Sequence, residues 1–124
     1  GILDKDVEKE LKESLLSLPE KIEAVLEMKS QVAEVSKILA EETDLFYLGR
    51  GADYALVIEG ALKVKEISYV HSEAYAGGEL KHGTIALIEP GTKVIAALTQ
   101  SQLKDKMISN VKEVNKILGI TLSI

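Results

Sequence analysis

Apolar residues return every three or four positions through the first forty residues: Val7, Leu11 and Leu15, then Ile22, Val25 and Leu26, then Val32, Val35, Ile38 and Leu39. That spacing predicts amphipathic helices. Ser17-Leu18-Pro19-Glu20 reads as a helix start, with Ser17 as the cap, Pro19 tolerated in the first turn and Glu20 three residues on as in a capping box. A weak break near Ser30 divides the segment again. After Asp44 the period changes. Leu45-Phe46-Tyr47-Leu48 is short, apolar and aromatic, which predicts a buried strand, and Gly49-Arg50-Gly51 stops it. Residues 53–68 return to helix, and a second strand is expected within Val70–Tyr75. Gly77-Gly78 introduce a helix over Glu79–Ile88, and Pro90-Gly91 is a turn. Lys93–Leu98 is the next apolar strand. Residues 101–118 form an amphipathic helix through Leu103, Met107, Ile108, Val111, Val114 and Leu118, with Gly119 where a helix C-terminal glycine belongs. Ile120–Ile124 begins a fourth strand.

Strands that alternate with helices, each strand a near-continuous apolar run, indicate a parallel sheet covered on both faces. The expected fold class is α/β, a three-layer α-β-α sandwich. A helical segment, 1–43, is expected to pack on a core of 44–124. Ligands of such sheets bind at the carboxyl ends of strands, here Gly49–Gly51, Ala76–Gly78 and Thr99-Gln100-Ser101. The sequence stops in or at the end of a strand, so a further strand or another surface is expected to cover that edge.

Composition narrows the function classes. The 124 residues are about one domain's worth. The net charge of −5, with lysines interspersed among glutamates, argues against a nucleic-acid partner, which needs clustered cations. The absence of cysteine excludes disulfides and thiolate catalysis and fits a cytoplasmic location. No apolar run approaches the ~20 residues of a membrane helix, so no membrane partner is expected. His71 and His82 have glutamates nearby, but the spacing matches no HExxH-like pattern, so neither a metal nor a cofactor is expected. Gly49-Arg50-Gly51 has the look of an anion-binding turn. It lacks a full glycine-rich fingerprint, and tight strand-to-helix packing is the commoner explanation.

One polar feature stands out within residues 53–68. At ~100° per residue, Glu59, Lys63 and Glu66 fall within about 60° of one another, while Val57, Ala61 and Val64 lie on the side suited to the sheet. Leu56 and Leu62 flank the stripe. Two readings follow. It is an exposed line of ion pairs that adds little stability, or it is a set of cleft-facing carboxylates with a neighbouring ammonium, able to move a proton. His82 has the same pair of readings, as a surface or capping residue or as an acid–base group.

The stretch LGRGADYALVIEGALKVKEISYVHSEAYAGGELKHGTIALIEPGTKVIA resembles the second sugar isomerase (SIS) subdomain of the glucosamine-6-phosphate synthase family, the isomerising glutamine:fructose-6-phosphate aminotransferases. The similarity runs from about Leu18 onward and is densest over EGALKVKEISYVHSEAYAGGELKHG. The resemblance implies a five-stranded parallel sheet, four strands of which are expected here. It implies that ammonia from glutamine converts fructose 6-phosphate to glucosamine 6-phosphate, for amino-sugar and UDP-N-acetylglucosamine synthesis, in a homodimer. By position, Glu66 matches the glutamate that shuttles a proton between the first two sugar carbons. Lys63 and Glu59 match charged residues beside it, and His82 matches the histidine that opens the sugar ring across the dimer. Thr84 stands where many relatives have proline, and Gly78 where alanine is common. The Ser/Thr-rich loops that hold sugar phosphate, the glutaminase domain and the lysine-bearing tail belong to other parts of such enzymes. An isolated piece of this kind is expected to be inactive. The alternative is a stand-alone module that binds a phosphosugar without catalysis.

Overall fold

The computed structural model describes residue 2, residues 4–118 and residues 122–123. The chain divides into two compact units, Gly1–Lys37 and Ile38–Ile124.

The first unit is helical, as the spacing predicts: α1 (Lys5–Leu16), α2 (Leu18–Glu27) and most of α3 (Lys29–Leu39). Asp4 caps α1, its carboxylate accepting from the Asp6 amide at 2.9 Å. Ser17 departs from the expected capping box. A single residue separates α1 from α2, which leaves Ser17 in helical geometry (φ −84°, ψ −5°) where a capping serine needs an extended backbone. Its hydroxyl turns back to donate to the Ser14 carbonyl at 2.9 Å, so Ser17 closes α1 rather than opening α2. The break expected near Ser30 falls at Met28. No residue of the three helices is buried.

In the second unit, β1 (Asp44–Gly49) is followed by α4 (Ala52–Ser68), β2 (His71–Ala76), β3 (Lys93–Ala96), α5 (Lys104–Leu118) and β4 (Leu122–Ser123). All pairings are parallel and the spatial order is β2-β1-β3-β4. The chain leaves β1 toward β2 on one side and then crosses to β3 on the other. This makes the gap between the carboxyl ends of β1 and β3 the topological switch point.

Side chains of β1 alternate between two apolar clusters, as a strand buried on both faces must. Leu45 and Tyr47 meet Val57 and Ala61 of α4, with Leu39 of α3 alongside. Phe46 and Leu48 meet Leu80, Ile88, Val94, Ala96, Met107 and Val114 on the opposite face. These are the three layers that the sequence predicts.

The helix expected over Glu79–Ile88 does not form. Two 3₁₀ turns, Leu80–His82 and Thr84–Leu87, stand in its place, separated by Gly83 at φ +131°. That value lies in the region open mainly to glycine, and it interrupts any helical run. Gly119 and most of Ile120–Ile124 lie outside the described residues.

Candidate functional site

At the switch point the polar groups are tied to one another. Gly49 lets α4 start hard against the end of β1, since a Cβ there would stand 2.4 Å from the Asp53 carbonyl oxygen. Gly51 has φ +57°, a value that favours glycine, and its missing Cβ leaves room for the Gln100 side chain. Asp53, 4 % exposed, accepts the Thr99 amide at 2.9 Å and the Thr99 hydroxyl. The hydroxyl bond is the main cause holding the Asp53 carboxyl below the usual carboxylate range. Gln100 Nε2 donates to the Arg50 carbonyl at 2.6 Å, and Arg50 Nε donates to Asn110 Oδ1 at 3.0 Å. Gly49-Arg50-Gly51 thus serves close strand-to-helix packing. The first turn of α4 already carries a fixed negative charge in Asp53, which disfavours an anion there.

The stripe on α4 lies elsewhere. Lys63 Nζ donates to Glu66 Oε2 at 2.7 Å and stands 3.5 Å from Glu59 Oε1. The three side chains are 51, 52 and 61 % exposed, in the order Lys63, Glu66, Glu59. The bond to Glu66 raises the Lys63 pKa. α4 runs antiparallel to the strands, so Glu66, thirteen residues past Asp53, is about 20 Å along the helix from the carboxyl rim. Leu56, Ile58 and Leu62 on the same outer side are also exposed. The sheet-facing side is as predicted, with Val57 and Ala61 buried.

His82 sits in the turn beyond β2, at the carboxyl end of the sheet, and its side chain is exposed. The turn is anchored by Leu80, which is 0 % exposed, by the His82 amide on the Glu79 carbonyl at 2.9 Å, and by Lys81 Nζ on Glu113 Oε1 at 2.7 Å. The structure therefore brings Glu59, Lys63 and Glu66 together and leaves His82 apart from them. Asp53, Asn110 and Glu113 were not singled out by sequence reasoning, and Thr99 entered it only as part of a strand end. An acid in the first turn of the helix after Gly-Arg-Gly was the available hint for Asp53; nothing in the sequence pairs it with Thr99.

His71 is occupied at the amino ends of β1 and β2. Its Nδ1 is 2.8 Å from Asp44 Oδ1 and its Nε2 is 3.4 Å from Glu73 Oε1. Tyr75 donates to Glu73, and desolvation together with that carboxylate pushes its phenol up to about 12. These acids border a recess of about 350 Å³ with Phe46, Leu87, Glu89 and Thr92. Among the described residues no group of three or more acidic or histidine side chains is arranged to hold a metal ion. No helix among them is long and apolar enough to cross a membrane.

Comparison with known proteins places this geometry. The family model described as SIS domain matches residues 38–124. The glutamine–fructose-6-phosphate aminotransferase (isomerizing) of Clostridium acetobutylicum is 57 % identical over 123 residues, covering 96 % of this chain and 20 % of that protein. The protein of the same name from Clostridium perfringens is 58 % identical over 105 residues, covering 85 % of this chain and 17 % of that protein. The chain thus spans about a fifth of the length of these curated relatives. Among solved structures, the C-terminal domain of glucosamine-fructose-6-phosphate aminotransferase from Francisella tularensis superposes with a TM-score of 0.92 at 35 % identity, over 98 % of this chain and 34 % of that one. A glucosamine-6-phosphate deaminase from Thermotoga maritima superposes with a TM-score of 0.60 at 27 % identity, over 71 % of this chain and 29 % of that one. With a parallel sheet in the order β2-β1-β3-β4 and a family match over most of its length, the chain belongs to the SIS domain family.

Proposed function

We propose that this chain is part of the isomerase region of a glutamine:fructose-6-phosphate aminotransferase, a cytoplasmic homodimer that makes glucosamine 6-phosphate from fructose 6-phosphate. The observation that carries this reading is the Lys63–Glu66 pair at 2.7 Å on the outward face of α4, among exposed Leu56, Ile58 and Leu62. A carboxylate held by a neighbouring ammonium is a positioned acceptor within reach of a substrate proton. Exposed leucines around it are what a surface completed by another domain would present.

In this reading Glu66 is the base of the isomerisation. Its carboxylate takes the proton from C1 of the open-chain sugar imine, giving an enolamine as the nitrogen gains a proton. It returns the proton to C2 as the C1 hydroxyl gives up its proton to leave the aldehyde. Lys63 donates to Glu66 and fixes the carboxylate in place, and Glu59 holds Lys63 from the other side. His82 opens the sugar ring by moving a proton at the ring oxygen, for which an imidazole suits neutral pH. His82 lies at the carboxyl end of the sheet and Glu66 toward the other end of α4, which fits a histidine given to a neighbouring subunit's site.

Isothermal calorimetry of this chain with fructose 6-phosphate and with glucosamine 6-phosphate tests the reading. No binding below millimolar concentration, and no glucosamine 6-phosphate formed from fructose 6-phosphate with glutamine or ammonia, is the expected result. Micromolar affinity without turnover would favour the alternative, a stand-alone phosphosugar-binding module. Turnover by this chain alone would overturn the claim that it needs further domains.

A further inference from the structure

The turn that carries His82 packs on α5 at Gly77 and is tied to it three residues further along the helix by an ion pair. Asn110 Oδ1 takes the Arg50 Nε–H at 3.0 Å and would stand 3.0 Å from a Cβ on Gly77. Glu113, on the same side of the helix, pairs with Lys81 at 2.7 Å. Leu80 fills the core between these points, and the His82 amide closes the turn on Glu79. The amides of Gly77, Glu79 and His82 are hydrogen-bonded while His82 itself stays open to solvent.

Glu113 is an odd choice for stability alone. Its Oε2 is shielded from water and takes no hydrogen bond among the described residues. A buried oxygen without a partner is a cost that native proteins seldom keep. The Lys81 side chain is 61 % exposed, and an ion pair that open adds little in return. What the pair does supply is a fixed position for the residue next to His82.

We propose that Glu113 is a positioning residue for His82, holding the turn through Lys81 so that the imidazole meets the sugar at one place. This rests on the acid–base reading of His82 given above.

The test has two readouts. The first is hydrogen exchange in this chain, compared among wild type, Glu113→Ala and Lys81→Ala. The second variant alters only a largely exposed side chain and keeps the test open if the first fails to fold. Exchange at the His82 amide should rise about three- to fivefold in both, with the amides of β1 and β3 unchanged. The charge-reversed double variant, Lys81→Glu with Glu113→Lys, should bring it back. The second readout is kinetic, in the protein joined to its remaining domains. Glu113→Ala should lower kcat and shift the pH–rate profile while leaving KM for fructose 6-phosphate unchanged, and the charge-reversed pair should recover kcat. Exchange unchanged at His82, or raised equally across β1 and β3, overturns the proposal. So does a full kcat in Glu113→Ala of an active protein. A local rise in exchange, in a protein that never turns over fructose 6-phosphate, would leave the clamp standing and refute the aminotransferase reading instead.

Discussion

The carboxyl rim of the sheet and the outer face of α4 use charge in opposite ways. At the rim, Asp53 is buried, accepts two hydrogen bonds from Thr99 and stands beside a turn whose Arg50 carbonyl is bound by Gln100. On α4, Glu59, Lys63 and Glu66 pair only with each other among the described residues, and about half of each side chain faces solvent. A buried carboxylate with fixed donors stabilises the fold. A solvated pair contributes little to the fold, so its removal should leave the structure intact. The usual expectation for an open parallel sheet, that chemistry sits at the carboxyl rim, therefore fits the role proposed for His82 but not the polar cluster around Asp53, and the proposed base lies on a helix face.

That contrast can be broken in order of expected effect. Glu66→Gln should lower kcat by about 10²–10⁴ in the protein joined to its remaining domains, the range for a lost general base. The same variant should change the unfolding free energy of this chain by no more than about 0.5 kcal/mol in urea melts. Asp53→Ala should do the reverse for the fold, lowering stability by about 2–3 kcal/mol through loss of hydrogen bonds to a charged acceptor. Urea unfolding followed by circular dichroism checks it.

The pH dependence should separate the regions too. The Asp53 pKa is lowered in the folded chain, chiefly by Thr99. Its contribution is complete above the ordinary aspartate pKa of 3.8 and is lost as pH falls through the lower folded value. Asp53→Asn should therefore flatten the acid limb of the stability curve, whereas Glu66→Gln should leave it in place. The smallest effect belongs to Lys63→Met, which should leave the urea midpoint of this chain indistinguishable from wild type even at low salt.

Much of the fold was legible because apolar runs and helical spacing report burial directly. Leu45–Leu48 marked β1, and Val57, Ala61 and Val64 marked the sheet-facing side of α4. What misled was local chemistry judged without its backbone. Ser17 carries a capping side chain on a helical backbone, and Gly83 breaks a stretch that is otherwise helix-compatible. For the candidate site, the grouping of Glu59, Lys63 and Glu66 could be read from i,i+3 and i,i+4 spacing alone. The Asp53–Thr99 and Arg50–Asn110 contacts join residues 46 and 60 positions apart, and no local pattern encodes such pairs. The ordinary appearance of Lys81 and Glu113 hides their contact for the same reason.

The measurement closest to the central claim follows hydrogen at carbon. The protein joined to its remaining domains is incubated with fructose 6-phosphate and a nitrogen donor in deuterium oxide, and deuterium is read at C1 of the sugar and C2 of the product by NMR. Wild type should exchange at C1 and label C2, and Glu66→Gln should do neither while binding fructose 6-phosphate within about threefold of wild type. Exchange at the wild-type rate in Glu66→Gln would contradict the assignment of that carboxylate as the base.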